Sequence, residues 1–442
     1  MTASRPSLKR NSLARLFADG AGLVFGACGT VITSRVLGPS GQGVFAVLVF
    51  VSSATVLLAG LGLGEAAIVR VGQGAASYSE AASATVGALL LSGFVGVFVA
   101  LALGWAVVQP SSTNLWLAVV ATAIDVPVSV SVLGCGSLLN LKERIRASSI
   151  VSASLSGTTL VGLLIFVLGI HLSVLGGVLA GVLASDVALL VGLYLLRRGH
   201  QSVRPRWNKD FVRAALRFGI TLQAVSALTL ASNKLDLLFV FRLAGSAAAG
   251  RYSVALTAGT VVTMVPYALS MAAFPRVAYV SAGEADALLS RMFRVGLAGA
   301  ACTAACLAVA MPVAVPAILG DRYAPSVSPA IILVAGGVFL SGQWVLGRAM
   351  AARGDTSLLI RSFGLALLVM VTLDLILIPD LGLIGAAASS SVSSATALIY
   401  SLNRVRRSSG LRRFLPGLAD FREFVEFLRT FLRREAAKEV AK

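Results

Sequence analysis

The chain has 442 residues, of which 57% are hydrophobic and only 13% charged, where an ordinary soluble domain carries ~25% charge. With a mean hydropathy of +0.89, this excludes a soluble globular enzyme, a disordered chain and a disulfide scaffold, and leaves a polytopic membrane protein. The same chain has a formal net charge of +18, from 37 Lys and Arg against 19 Asp and Glu, and charge is costly inside lipid.

In chain order, Met1–Asn11 is polar and basic, and the apolar stretch behind it is too long for the core of a cleavable leader, so none is expected. Twelve apolar segments follow, at 14–34, 44–69, 84–108, 115–138, 148–170, 174–196, 214–241, 250–280, 290–319, 327–350, 357–378 and 383–402. Each approaches or exceeds the ~20 residues that a spanning helix needs. They are too long and too evenly apolar for barrel strands, and a segment in lipid must satisfy its own backbone, so all are predicted to be helices. Pro127, Pro266 and Pro275 are predicted to kink their segments, and Pro312 and Pro316 to make the end of the ninth irregular. Two six-helix lobes are expected, 1–196 and 214–403, with a basic linker at 197–213 and a tail at 404–442.

The gaps between segments place the charge. When they are assigned alternately to two sides, thirty-two basic residues fall on one side, with both termini, the linker and the tail. Four fall on the other (Arg35, Arg242, Arg251 and Arg322), and Lys234 lies within a span. This eightfold bias supports the segment count and, by the positive-inside rule, predicts cytoplasmic termini. The tail from Gly410 repeats Leu411, Phe414, Leu415, Leu418, Phe421, Phe424, Val425 and Leu428 at helical spacing, with arginines elsewhere. It reads as a basic amphipathic helix on an anionic lipid surface, or more plainly as a solvated tail. Nucleic acid is not an expected partner.

An internal repeat is visible. Residues 35–45 (RVLGPSGQGVF) align with 242–252 (RLAGSAAAGRY) at a constant offset of 207, matching Arg35 with Arg242, Gly38 with Gly245, Gly43 with Gly250 and Phe45 with Tyr252. Gly176 and Gly385 match at an offset of 209. Two six-helix halves repeated in this way form a parallel repeat, related by an axis along the membrane normal. The plainest role of the four paired glycines is tight turns and close helix approach.

Ionisable groups inside spans are candidate functional groups. They are Asp19, Asp125, Asp186, Lys234, Asp236 and Asp374. In the seventh segment, Gln223, Ser226, Thr229, Asn233, Lys234 and Asp236 occupy an arc of ~160°, opposite an apolar face of Ala224, Ala227, Leu228, Ala231, Leu235 and Leu238. Gln223, Asn233 and Lys234 are therefore candidate substrate contacts, with Lys234 suited to a phosphate as a compact point charge. The plainer reading of Lys234 is an ion pair with an Asp of another helix. Asp19, Asp125, Asp186 and Asp236 are candidate ion-coupling groups. A weaker stripe in the first segment, Asp19, Gly22, Gly26, Thr30 and Thr33, reads as helix packing. Two His and four scattered Cys exclude a multi-His metal centre, Cys302 and Cys306 read as packing, and no catalytic motif or cofactor fingerprint is present.

Several of these stretches resemble a known family. Ser34–Phe45 (SRVLGPSGQGVF), Gly62–Arg70 (GLGEAAIVR), Asn233–Phe239, Gly250–Tyr252 and Leu377–Ala388 (LIPDLGLIGAAA) resemble, in order and spacing, the Wzx-type polysaccharide flippases. These form a branch of the multidrug/oligosaccharidyl-lipid/polysaccharide exporter superfamily. The second-half signature has Ser246 where Pro39 would repeat. The resemblance implies an all-α protein with two six-helix lobes around a central cavity, which moves a polyprenyl-diphosphate-linked oligosaccharide to the outer leaflet. It implies basic groups toward the diphosphate, a role that fits Lys234, with Arg35 and Arg242 near the outer rim. It also implies the cell membrane as the location, lipids and the lipid-linked glycan as partners, and glycosyltransferases or a glycan polymerase as neighbours in the pathway. Two alternatives stand beside it: a cation-coupled exporter of drugs or metabolites on the same fold, and a non-transporting scaffold for glycan assembly.

Overall fold

A computed structural model of the chain describes residues 8–141, 144–198, 208–277, 282–352, 356–409 and 416–426, and among these no residue is in a strand. The helices are α1 Leu8–Gly60, α2 Leu63–Gly72, α3 Tyr78–Val108, α4 Thr113–Ile124, α5 Val126–Leu141, α6 Ile145–Leu163, α7 Ser173–Arg197, α8 Lys209–Ala244, α9 Ser246–Val277, α10 Ala282–Leu319, α11 Val327–Ala352 and α12 Thr356–Ser409. A short helix, α13, covers 418–426.

Nine helices among the described residues are long and apolar enough to cross a membrane. Two of them, Gly20–Gly72 and Thr356–Arg406, each hold two spans joined at a glycine, Gly38 (φ 67°, ψ 178°) and Gly382 (φ 55°, ψ −126°). The 32-residue α9 supplies the remaining predicted segment. The protein is thus a multi-pass helical membrane protein with the twelve-span plan. The repeat reappears in the backbone: Gly245, equivalent to Gly38, adopts φ 90° and ψ 170° between α8 and α9. Positive φ with ψ near 180° is essentially closed to residues with a Cβ, so both halves turn from first to second span on a residue that must be glycine.

Lipid inverts the usual surface. Phe98 (73% exposed) and Val309 (81%) point outward, whereas the buried side of α3 is lined by Ala81, Ala84, Ala88, Gly93, Gly96, Ala100 and Gly104. Between lipid-bathed helices there is little hydrophobic drive, so association rests on close packing of small residues. Gly93 lies against Pro127, Gly104 against Val119, and Gly162 against Ala180.

The prolines behave differently from one another. The fourth segment breaks into α4 and α5 at Asp125, two residues before Pro127, whose missing N–H removes one helical bond there. α10, in contrast, stays helical through Pro312 and Pro316 to Leu319, so the irregular end expected of it is not found. The fifth segment ends in an unforeseen π-turn, Leu164–Gly169. α8 begins at Lys209, where Asn208 Oδ1 accepts the Phe211 N–H at 3.0 Å. Asn208 Nδ2 also donates to Glu80 at 3.1 Å.

The chain forms two compact units, Met1–Ser253 with Ile318–Tyr323, and Val254–Ala317 with Ala324–Lys442. In the first, one core joins α2, α3, α5 and the start of α8 through Leu63, Leu89, Val130 and Phe211. Another joins α5, α6 and α7 through Cys135, Leu139, Val151 and Ala188. In the second, Leu289, Phe293, Leu346, Met350, Leu358 and Leu398 tie α10, α11 and both arms of α12 together.

The described part of the tail also belongs to the second unit. α13 docks on α10: Asp420 pairs with Arg294 at 3.2 Å, Glu423 with Arg291 at 2.9 Å, and the buried Phe424 ring lies against Gly299. The amphipathic helix read from the sequence is present, but acidic and aromatic residues, rather than arginines, attach it to a neighbour. Leu418, Arg422 and Val425 remain on its exposed side. The arginines beyond 426 lie outside the described residues.

Candidate substrate and coupling residues

The predicted wet face of α8 separates into three environments. Gln223, half-buried, donates its side-chain amide to the Leu57 carbonyl on the second arm of α1. Asn233 folds back onto its own helix, donating to the Thr229 carbonyl at 2.7 Å. Asp236 is fully buried; Oδ1 accepts the Leu237 N–H at 2.8 Å and Oδ2 accepts the Tyr252 hydroxyl at 2.5 Å. Lys234 is exposed and has no carboxylate within salt-bridge distance among the described residues. The nearest acid in sequence, Asp236, has its oxygens directed to Tyr252 and to the backbone. Asp236 still interacts electrostatically with Lys234, but no carboxylate among the described residues pairs with it at salt-bridge distance.

The helical hairpin explains why Asp236 meets Tyr252. The two residues flank the Gly245 turn at comparable distances, nine before and seven after, and so reach the same depth on antiparallel helices. The hairpin at Gly382 repeats the device: Asp374, buried, accepts from the Ser389 hydroxyl across that turn. Sequence reading placed neither Tyr252 nor Ser389, although equal spacing from a glycine turn was the available signal.

Asp125 forms a separate group in the first unit. Its Oδ2 accepts the hydroxyls of Ser129, one turn along on α5, at 2.8 Å and of Ser185 on α7 at 3.3 Å. The two hydroxyls are 3.0 Å apart, and the buried Oδ1 has no hydrogen-bond partner. Buried oxygens are seldom left unmatched, which sets this one apart within the first unit. Asp186, one residue beyond Ser185, is exposed and does not join it. The Asp19 side chain lies outside the described residues.

Arg35 and Arg242 each donate to a backbone carbonyl, Arg35 Nε to Ile318 at 2.5 Å and Arg242 Nη1 to Ala106 at 3.4 Å. Among the described residues named here, the geometry gives an exposed lysine in a span, two buried carboxylate–hydroxyl groups on the first unit, and two exposed arginines engaged with helix ends. No group of His, Cys, Asp and Glu able to hold a metal ion is found among the described residues.

Comparison with known proteins decides the family. The family described as "Polysaccharide biosynthesis protein" matches residues 8–280, well over half of the chain. The chain belongs to this family. No functionally curated protein matches it. Solved structures with the same fold include an inward-facing multidrug resistance MATE family transporter of the MOP superfamily, at 14% identity and a TM-score of 0.68, covering 90% of this chain and 98% of that one. The MATE multidrug transporter DinF-BH follows at 16% identity and 0.66, covering 93% and 98%. A MOP superfamily transporter from Pyrococcus furiosus, described as having a binding pocket of reverse polarity, matches at 12% identity and 0.58, covering 91% and 95%. The fold is the two-lobe MATE-like transporter fold, as the sequence resemblance implied, here in a member of the polysaccharide biosynthesis family. The solved structures named here that share this fold are described as transporters.

Proposed function

We propose that the protein moves a polyprenyl-diphosphate-linked oligosaccharide from the cytoplasmic to the outer leaflet of the cell membrane, by alternating access of two six-helix halves, for surface polysaccharide synthesis. Both termini and the basic linker lie in the cytoplasm, where the positive-inside rule puts the side with thirty-two basic residues. Family membership supports this reading, and the observation that carries it is Lys234. A cation within a span, exposed and with no carboxylate at salt-bridge distance among the described residues, is open to an anion from elsewhere. A diphosphate headgroup supplies one. Asn233 and, three turns earlier, Gln223 precede it on the same helix, and the amide groups left over from their bonds to Thr229 and Leu57 would meet sugar hydroxyls. Asp125 with Ser129 and Ser185, and Asp236 with Tyr252, serve as the coupling groups.

The names of the solved relatives favour a second reading, cation-coupled export of drugs or small metabolites. The two readings part at Lys234, because a cationic drug is repelled by it and an anionic lipid attracted. In a strain lacking the protein, wild-type and Lys234→Arg genes should restore surface glycan, while Lys234→Glu at equal protein level should not. Full restoration by Lys234→Glu would remove the anionic-substrate reading.

A further inference from the structure

The two arginines matched by the repeat perform matched tasks on opposite halves. Arg35 closes the first span of the first half and donates to Ile318, one residue from the end of α10. Arg242 closes the first span of the second half and donates to Ala106, two residues from the end of α3. Both acceptors are among the last four carbonyls of their helices, which have no intrahelical donor and sit at the negative end of the helix dipole. α3 and α10 are the third spans of their respective halves. Each arginine therefore caps the third span of the half to which it does not belong.

The seam between these two contacts has the same symmetry, and all of it lies within the first compact unit. A Cβ on Gly43 would stand 1.9 Å from the Ser246 carbonyl oxygen, and one on Gly250 would stand 1.8 Å from that of Pro39. Pro39 and Ser246 are themselves equivalent at the offset of 207, so the contact is reciprocal in the manner of a two-fold interface. Further bonds cross it: Tyr323 Oη donates to the Ser34 carbonyl at 3.1 Å and Gln42 Nε2 to Ser253 Oγ at 3.5 Å, while Arg251 Nε donates to the Arg322 carbonyl at 3.0 Å beside it within the second half. All four arginines that the charge alternation assigns to the sparsely charged side are found here or at the Ala106 cap.

We propose that Arg35 and Arg242 form a reciprocal latch on the sparsely charged side of the membrane, holding the Gly43–Gly250 seam shut, and that opening this side requires both arginines to leave their helix ends. The latch explains why this side keeps arginines when its partner side holds eight times as many basic residues. Their charge is spent on carbonyls that lipid and a closed seam would otherwise leave unmatched. It holds whichever substrate is carried.

The test uses the purified full-length protein in detergent, with Cys28, Cys302 and Cys306 replaced by Ala and a Ser253→Cys reporter in the seam. Cys135, buried in the core of α5, α6 and α7, stays as an internal control. The Arg35→Gln/Arg242→Gln pair should speed labelling of position 253 by a charged maleimide at least fivefold, with Cys135 still protected. The Arg35→Lys/Arg242→Lys pair keeps the charge and should stay within about twofold of the parent. Unchanged labelling of position 253 in the glutamine pair would overturn the latch. Equal acceleration at Cys135 would also overturn it, since the arginines would then be holding the fold rather than the seam.

Discussion

Gly250→Ala is the sharpest perturbation of the seam. The added Cβ would lie 1.8 Å from the Pro39 oxygen, 2.8 Å from its carbonyl carbon and 2.9 Å from the Gly43 nitrogen. Carbon–oxygen contacts settle near ~3.3 Å, so the helices must part by about 1.5 Å. Every obstructing atom is backbone, and no rotamer change relieves the clash. Overpacking of this kind costs about 3 kcal/mol at the upper end of the usual range. That corresponds to roughly a 100-fold loss in the closed population. With the Ser253→Cys reporter, labelling should rise at least tenfold and transport should fall, while the protein still purifies. Gly43→Ala, with its Cβ 1.9 Å from the Ser246 oxygen, should reproduce the effect by symmetry. Gly26→Ala, which meets nothing within 4 Å, should leave labelling within twofold of the parent. Parent-like labelling of Gly250→Ala, with an unchanged melting temperature, would refute the account of the seam.

Tyr252→Phe removes the hydroxyl that Asp236 accepts and leaves a buried carboxylate oxygen short of a donor, which costs about 1–3 kcal/mol; the melting temperature should fall, and Asp236→Asn combined with Tyr252→Phe should fall by less than the sum of the single changes. Phe424→Ala should undock α13 from α10 without unfolding the spans, seen as rapid proteolysis after Gly417 while the membrane core remains intact.

The spans were legible because lipid demands long apolar segments, and the alternation of basic residues checked their number. The hinge glycines were legible through the repeat, since Gly38 and Gly245 align and both take the conformation that only glycine tolerates. The Asp236–Tyr252 and Asp374–Ser389 pairs were half-legible: each acid was visible, and its partner follows once the hairpin turn is fixed. The Asp125–Ser185 contact was not legible, because sixty residues and an intervening span separate the pair and only packing of α5 on α7 brings them together. The tail helix shows a different limit. Its periodicity revealed an apolar face but not the α10 surface that covers part of it, where Asp420 and Glu423 make the ion pairs.

The most direct test of the transport claim is to delete the gene and follow the lipid-linked glycan. The account predicts loss of surface polysaccharide and build-up of a polyprenyl-diphosphate oligosaccharide on the cytoplasmic leaflet, both reversed by the wild-type and Lys234→Arg genes and not by Lys234→Glu. Normal surface glycan with no such build-up, together with a new sensitivity to cationic drugs, would contradict it and favour the exporter.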